Sequence, residues 1–157
     1  METIVPPDRL SRLRRGTGPI RIDPAALRAA EAAVAQLEEG YSVWAQEDID
    51  ALRELAEAAR GSSRRTAPAI AGIYRHALDM KGLAGGFGYD LLTSVAELLV
   101  RFMEGRHAVS PRDCDIVCAH IDAMQAILRE DIRGDGREIG RELLSGLEML
   151  VPAGGDE

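Results

Sequence analysis

Apolar positions recur every three to four residues along most of the chain, and no run of four or more residues alternates as a strand would. Asp23 followed by Pro24 gives an N-cap acid and a proline at the first helical position. Leu27, Ala30, Val34 and Leu37 then follow at helical spacing until Gly40, where a first helix is expected to end. Tyr41 and Trp44 are expected to anchor the turn into a second helix, which carries Ile49, Leu52, Leu55 and Ala59 and stops at Gly61. After a loop at 61–65, Thr66 and Pro68 open a third helix that runs towards Gly82. Glycines at 85, 86 and 88 bracket a tight turn around Phe87.

A fourth helix has Leu91, Val95, Leu98 and Phe102 on one stripe, widened by Leu92 and Leu99. Gly105 and Ser110-Pro111 separate it from a fifth, whose core face is Val117, Ile121, Met124, Leu128 and Ile132. Past Gly134-Asp135-Gly136, a last helix is marked by Ile139, Leu143, Leu147 and Leu150. Six helical segments joined by short loops predict an all-α fold, most simply an antiparallel four-helix bundle with additional N-terminal helices. The expected division is a basic extension over 1–22, a helical domain over 23–151 and a tail over 152–157.

Composition changes this picture little. The 157 residues suit one core, and 46% hydrophobic with 29% charged residues is ordinary for a globular protein. A net charge of -7 argues against nucleic acid as the main partner, since a phosphate backbone is met by a basic face. Only residues 1–22 depart from this, with Arg9, Arg12, Arg14, Arg15 and Arg21 against Glu2 and Asp8, and they read as a solvated tail. No stretch approaches the roughly 20 apolar residues of a membrane span, and no secretory signal opens the chain. Cys114 and Cys118 stand four apart in a helical pattern rather than in a disulfide framework, so a cytoplasmic home is expected.

The most distinctive stretch reads Ile-Tyr-Arg-His-Ala-Leu-Asp-Met-Lys-Gly from Ile73 to Gly82, then Leu-Ala-Gly-Gly-Phe-Gly-Tyr-Asp-Leu-Leu to Leu92. It resembles the signature of histidine-phosphotransfer (Hpt) domains, in which a helix carries histidine, two residues, lysine and glycine, followed by a glycine-containing turn. Asp79, Lys81 and Gly82 match a bacterial form of the motif that reads His-Asp-x-Lys-Gly. The resemblance extends more loosely from about Asp23 to Leu150. It implies a four-helix bundle of Hpt type, a bacterial two-component phosphorelay as context, and receiver domains of response regulators or hybrid histidine kinases as partners.

In the motif an imidazole attacks an aspartyl phosphate on the receiver. A lysine three residues later returns to within about 60° on the helix and offsets phosphate charge. Glycine at the next position lets the receiver's loops approach. Lys81 is the only lysine among 19 basic residues, which makes a chance match less favoured. The histidine position, three before Lys81, is Leu78. Leucine has no nucleophile. The expectation is therefore a pseudo-Hpt, not an enzyme, that docks receivers through Leu78, Asp79, Lys81, Gly82, Gly85 and Phe87 without carrying phosphate at the usual site.

Two alternatives stand beside it. One is a working phosphotransferase that uses His76 or His120. His76, however, lies about 160° from position 78 on a helix, in line with Ala69, Ile73 and Met80. The other is a structural helical adaptor or homodimer. His107, Cys114, Cys118 and His120 lack a structural-zinc spacing, so neither a metal nor any other cofactor is expected. The glycines after Gly82 follow a helix instead of a strand, which removes a nucleotide fingerprint. The acidic groups Glu38-Glu39 and Glu47-Asp48-Asp50 read as solvated helix ends or polar faces.

Overall fold

The computed structural model describes residues 21–61 and 66–152. Most of the basic extension, the loop residues 62–65 and the tail from 153 lie outside these. Among the described residues every regular element is helical. The helices are α1 (Pro24–Gly61), α2 (Thr66–Leu83), α3 (Asp90–Met103), α4 (Pro111–Arg129) and α5 (Arg137–Leu150), with one 3₁₀ turn at Ala84–Phe87. No helix among the described residues is long and apolar enough to cross a membrane.

The expected break at Gly40 is absent, and the two predicted N-terminal helices are one helix of 38 residues. Glycine inside a helix costs about 1 kcal/mol relative to alanine but does not compel an ending. No proline follows it before Gly61, and Tyr41 and Trp44 lie on the helix instead of in a turn. The start at Asp23 is as expected: its Oδ1 accepts from the Ala25 amide at 3.0 Å.

The chain divides into two compact units, 1–35 and 36–157. In the first, every described residue is exposed, Leu27 and Val34 included. An apolar stripe is present there without a core to receive it. In the second, α1 buries Tyr41, Ala45, Asp48, Ile49, Leu52, Ala56 and Ala59 along one face. Along α1 and α4, Arg53 pairs with Asp122 at 3.0 Å and Arg60 with Asp115 at 2.6 Å. Gln46 and Gln125 exchange hydrogen bonds at 2.6 and 3.1 Å. Helix α2 lies along α3, α3 along α4, and α5 touches both α3 and α4.

The core is aliphatic. Ile49, Leu52, Ile73, Met80, Leu92, Leu99, Ile121, Met124 and Ile127 are among its fully buried side chains. Each contributes about 1.5–3 kcal/mol by leaving water. The stripes read from the sequence for α3 and α4 are buried, save that Ile132 lies past the end of α4 and is half-buried. Ser110 and Asp113 form a capping box at the start of α4.

Helix α5 sits differently from its expected stripe. Ile139 and Leu150 are exposed, while Gly140, Leu143, Leu144 and Leu147 turn inward. Gly140 sets this rotation, because a Cβ there would lie 1.9 Å from the Asp135 carbonyl oxygen. The glycine turn after α2 is clasped by backbone. Gly134 donates to the Gly88 carbonyl at 2.7 Å and accepts from the Leu91 amide at 2.8 Å. Gly88, at φ +80°, takes the left-handed conformation that the turn requires.

Candidate functional site

The last two turns of α2 carry the residues singled out by the sequence. Leu78 is 43% exposed, unusual for a leucine on a helix whose other face is sealed by Ile73, Ala77 and Met80. Asp79 and Gly82 are exposed beside it, and a Cβ on Gly82 would meet nothing within 4 Å. Lys81 is half-buried, with its Nζ 3.3 Å from a Glu97 carboxylate oxygen on α3. Leu83 adds a second exposed apolar side chain at the end of the helix.

Gly85 is exposed in the 3₁₀ turn, with the Thr93 hydroxyl 3.4 Å from where a Cβ would sit. Phe87 is not fully part of this surface. Its ring stacks on Tyr41 at a centroid distance of 4.5 Å, and the Tyr89 ring lies tilted 5.8 Å from that of Tyr41. Arg133 reinforces this corner by donating to the Phe87 carbonyl at 2.9 Å while its guanidinium covers the Tyr89 ring. The turn is thus held by aromatic packing, and Leu78, Asp79, Gly82 and Gly85 form the accessible part, with Lys81 at its edge.

His76 sits towards the core, as its helical angle predicts. Its Nδ1 lies 2.5 Å from Asp48 Oδ1 on α1, and the imidazole is about one-fifth exposed. Asp48 is buried, contrary to its reading as a solvated acid, and its Oδ2 finds no partner among the described residues. Burial pushes the Asp48 carboxyl above the usual carboxylate range. The hydrogen bond and charge of His76 pull it back, while Asp79 and Glu47 push it further up. Tyr41, whose hydroxyl is also buried without a partner among the described residues, is raised by burial and then by the charge of Asp48.

Asp48 is the site residue that the sequence reading missed. The available signal was its place seven residues after Tyr41, on the same face as Ala45, Ile49 and Leu52. Polarity pointed to solvent, and helical register pointed to the core. Register prevailed because His76 lies opposite.

His120 is fully buried, and its Nδ1 lies 2.8 Å from the Ile116 carbonyl oxygen. Its ring lies nearly parallel to Phe102, 6.5 Å away. Burial lowers its pKa, with the backbone bond acting in the opposite sense. His107 is exposed, Cys114 buried and Cys118 half-buried. Burial raises the Cys114 thiol above its ordinary range. Among the described residues, no group of three or more histidine, cysteine or acidic side chains is placed to hold a metal ion.

Chemically, the exposed end of α2 offers an apolar centre between a carboxylate and an ammonium, with an open glycine beside it. It carries no nucleophile at position 78. Comparison of the chain with protein-family models, with curated proteins and with solved structures found no match.

Proposed function

We propose that this protein is a pseudo-Hpt module that docks receiver domains of response regulators or hybrid histidine kinases and carries no phosphate at position 78. In this reading, α1 from Gln36 together with α2, α3 and α4 forms the antiparallel bundle of Hpt type, and the first part of α1 and α5 are additions to it. The observation that carries the proposal is the exposure of Leu78 and Gly82 on one side of α2, with Lys81 at their edge.

That side is suited to the approach of another protein's loops. Burying Leu78 in a complex contributes about 1–2 kcal/mol, which favours docking where a histidine would favour chemistry. Such a module sequesters a response regulator or competes with an active Hpt. Transfer through His76 or His120 is disfavoured by geometry, since His76 is held against Asp48 and His120 has no exposed surface.

The test is titration of the chain with a panel of receiver domains, with and without a beryllofluoride phosphoryl mimic. At least one complex is expected, weakened more than tenfold by Leu78→Asp and by Gly82→Arg, neither of which disturbs a buried contact. Absence of a complex with every receiver overturns the proposal. So does transfer of radiolabelled phosphate to His76 or His120, read with Leu78→His as the positive control.

A further inference from the structure

At the opposite end of α2 from Leu78, a cleft of about 770 Å³ opens between the end of α3, the loop to α4 and the start of α4, with Val151 on its rim. This is within the range of about 300–1,000 Å³ typical of small-molecule sites. The chain is strongly acidic, yet this cleft is lined by Arg101, Arg106, His107 and Arg112. The acids in the lining are Glu104 and Asp113.

Asp113 is already engaged. It caps α4 through Ser110, accepting from the Ser110 amide at 2.8 Å, and pairs with Arg106 at 3.3 Å. Arg106 is fixed in turn by donating to the Phe102 carbonyl at 2.6 Å, with its guanidinium 4.1 Å over the Phe102 ring centroid. Arg101 and Arg112 are exposed, and neither makes a hydrogen bond or a salt bridge among the described residues. Three guanidiniums therefore line the cleft against two carboxylates, a surplus of one positive charge, with Asp113 acted on by both Arg106 and Arg112. The N-terminal end of α4, a helix of 19 residues, lines the same space and adds its dipole.

Across the loop at 104–107 lies a second, smaller cleft of about 390 Å³, lined by Ile70, Ala71, Tyr74 and Met103. Glu104, Gly105, Arg106 and His107 border both clefts. A cationic recess beside an apolar shelf fits a molecule with one strongly anionic end and a less polar body. Guanidinium forks match phosphate oxygens bidentately, and the three terminal oxygens of a monoester give two forks more acceptors than the two of a carboxylate.

We infer that this cleft is a binding site for a small organic phosphate monoester, its phosphate held by Arg101 and Arg112 and its body directed towards the shelf at Tyr74. The site is independent of the receiver-docking surface.

Isothermal titration of the full chain with adenosine 5′-monophosphate and glucose 6-phosphate tests it, beside adenosine, glucose and inorganic phosphate. At least one ester is expected to bind, with its neutral counterpart silent and inorganic phosphate at least tenfold weaker. Arg101→Gln and Arg112→Gln should each weaken that binding about tenfold, and the pair together should remove it. Unchanged melting temperatures establish that these exposed substitutions leave the fold intact. No binding of either ester overturns the inference, as does binding that survives the double substitution. Inorganic phosphate bound as tightly as the esters overturns it too, because it leaves only a bare anion site.

Discussion

The two sides of α2 invert the usual arrangement of polar and apolar residues. A histidine faces inward at position 76, and a leucine faces outward at position 78. The inward side has solved a polar problem by pairing: His76 and Asp48 meet at 2.5 Å between α1 and α2. The outward side leaves an apolar problem unsolved, since Leu78 and Leu83 remain in water. Burying a polar group costs free energy unless something inside satisfies it, whereas an exposed apolar group gains from a partner outside. The inner side thus reports on stability, and the outer side on association.

The largest effect expected on this contrast comes from His76→Ala, which leaves the Asp48 carboxylate buried and unpaired. Urea unfolding at pH 7 should register a loss of about 3 kcal/mol. The sign of the pH dependence follows from Asp48. Burial already raises its folded-state pKa, so the folded state holds the proton more tightly than the unfolded chain does. Its contribution is most favourable below the unfolded carboxylate pKa of about 3.9 and declines as pH rises through the folded value. Removing His76 takes away the groups that lower that pKa, so the variant's deficit should shrink towards pH 4. A deficit that is flat with pH would mean that His76 acts through packing alone.

A smaller effect is expected at the other buried histidine. Burial lowers the His120 pKa, so its contribution is complete above the unfolded value of about 6.5 and is lost as pH falls towards the folded value. Between pH 7.5 and 5 the native chain should lose stability that His120→Leu does not lose. Parallel pH profiles for the two proteins would remove this account of acid lability.

The smallest stability effect belongs to the outer side. Leu78→Ala should change unfolding free energy by no more than about 0.5 kcal/mol while weakening the proposed receiver complex severalfold. A large stability loss would instead place Leu78 in the protein's own packing and erase the contrast between the two sides of α2.

Several elements were legible because local chemistry and burial agree in them. Asp23 and Pro24 start α1, Ser110 caps α4, and the apolar stripe of α3 is buried as its spacing predicts. The readings diverged where a local signal was permissive. Gly40 allows a break without requiring one, and helix continues through it. Ile139 and Leu150 have the right spacing for a core stripe, but Gly140 turns α5 so that they face water. Of the proposed docking residues, Leu78, Lys81 and Gly82 share a side because three- and four-residue spacings do so on any helix. That Phe87 is drawn into stacking with Tyr41 depends on residues 46 positions apart in the chain, and no local pattern encodes it.

By itself the sequence determined the helical class, most helix boundaries and the absence of a nucleophile at position 78, because these depend on residue identity and short-range periodicity. Only the tertiary structure decided that Asp48 is buried, that it pairs with His76, that α5 turns on Gly140, and that Arg101, Arg106 and Arg112 line one cleft. Burial and pairing between helices are properties of the distance between segments, and a one-dimensional pattern states which residues are able to meet without stating which ones do.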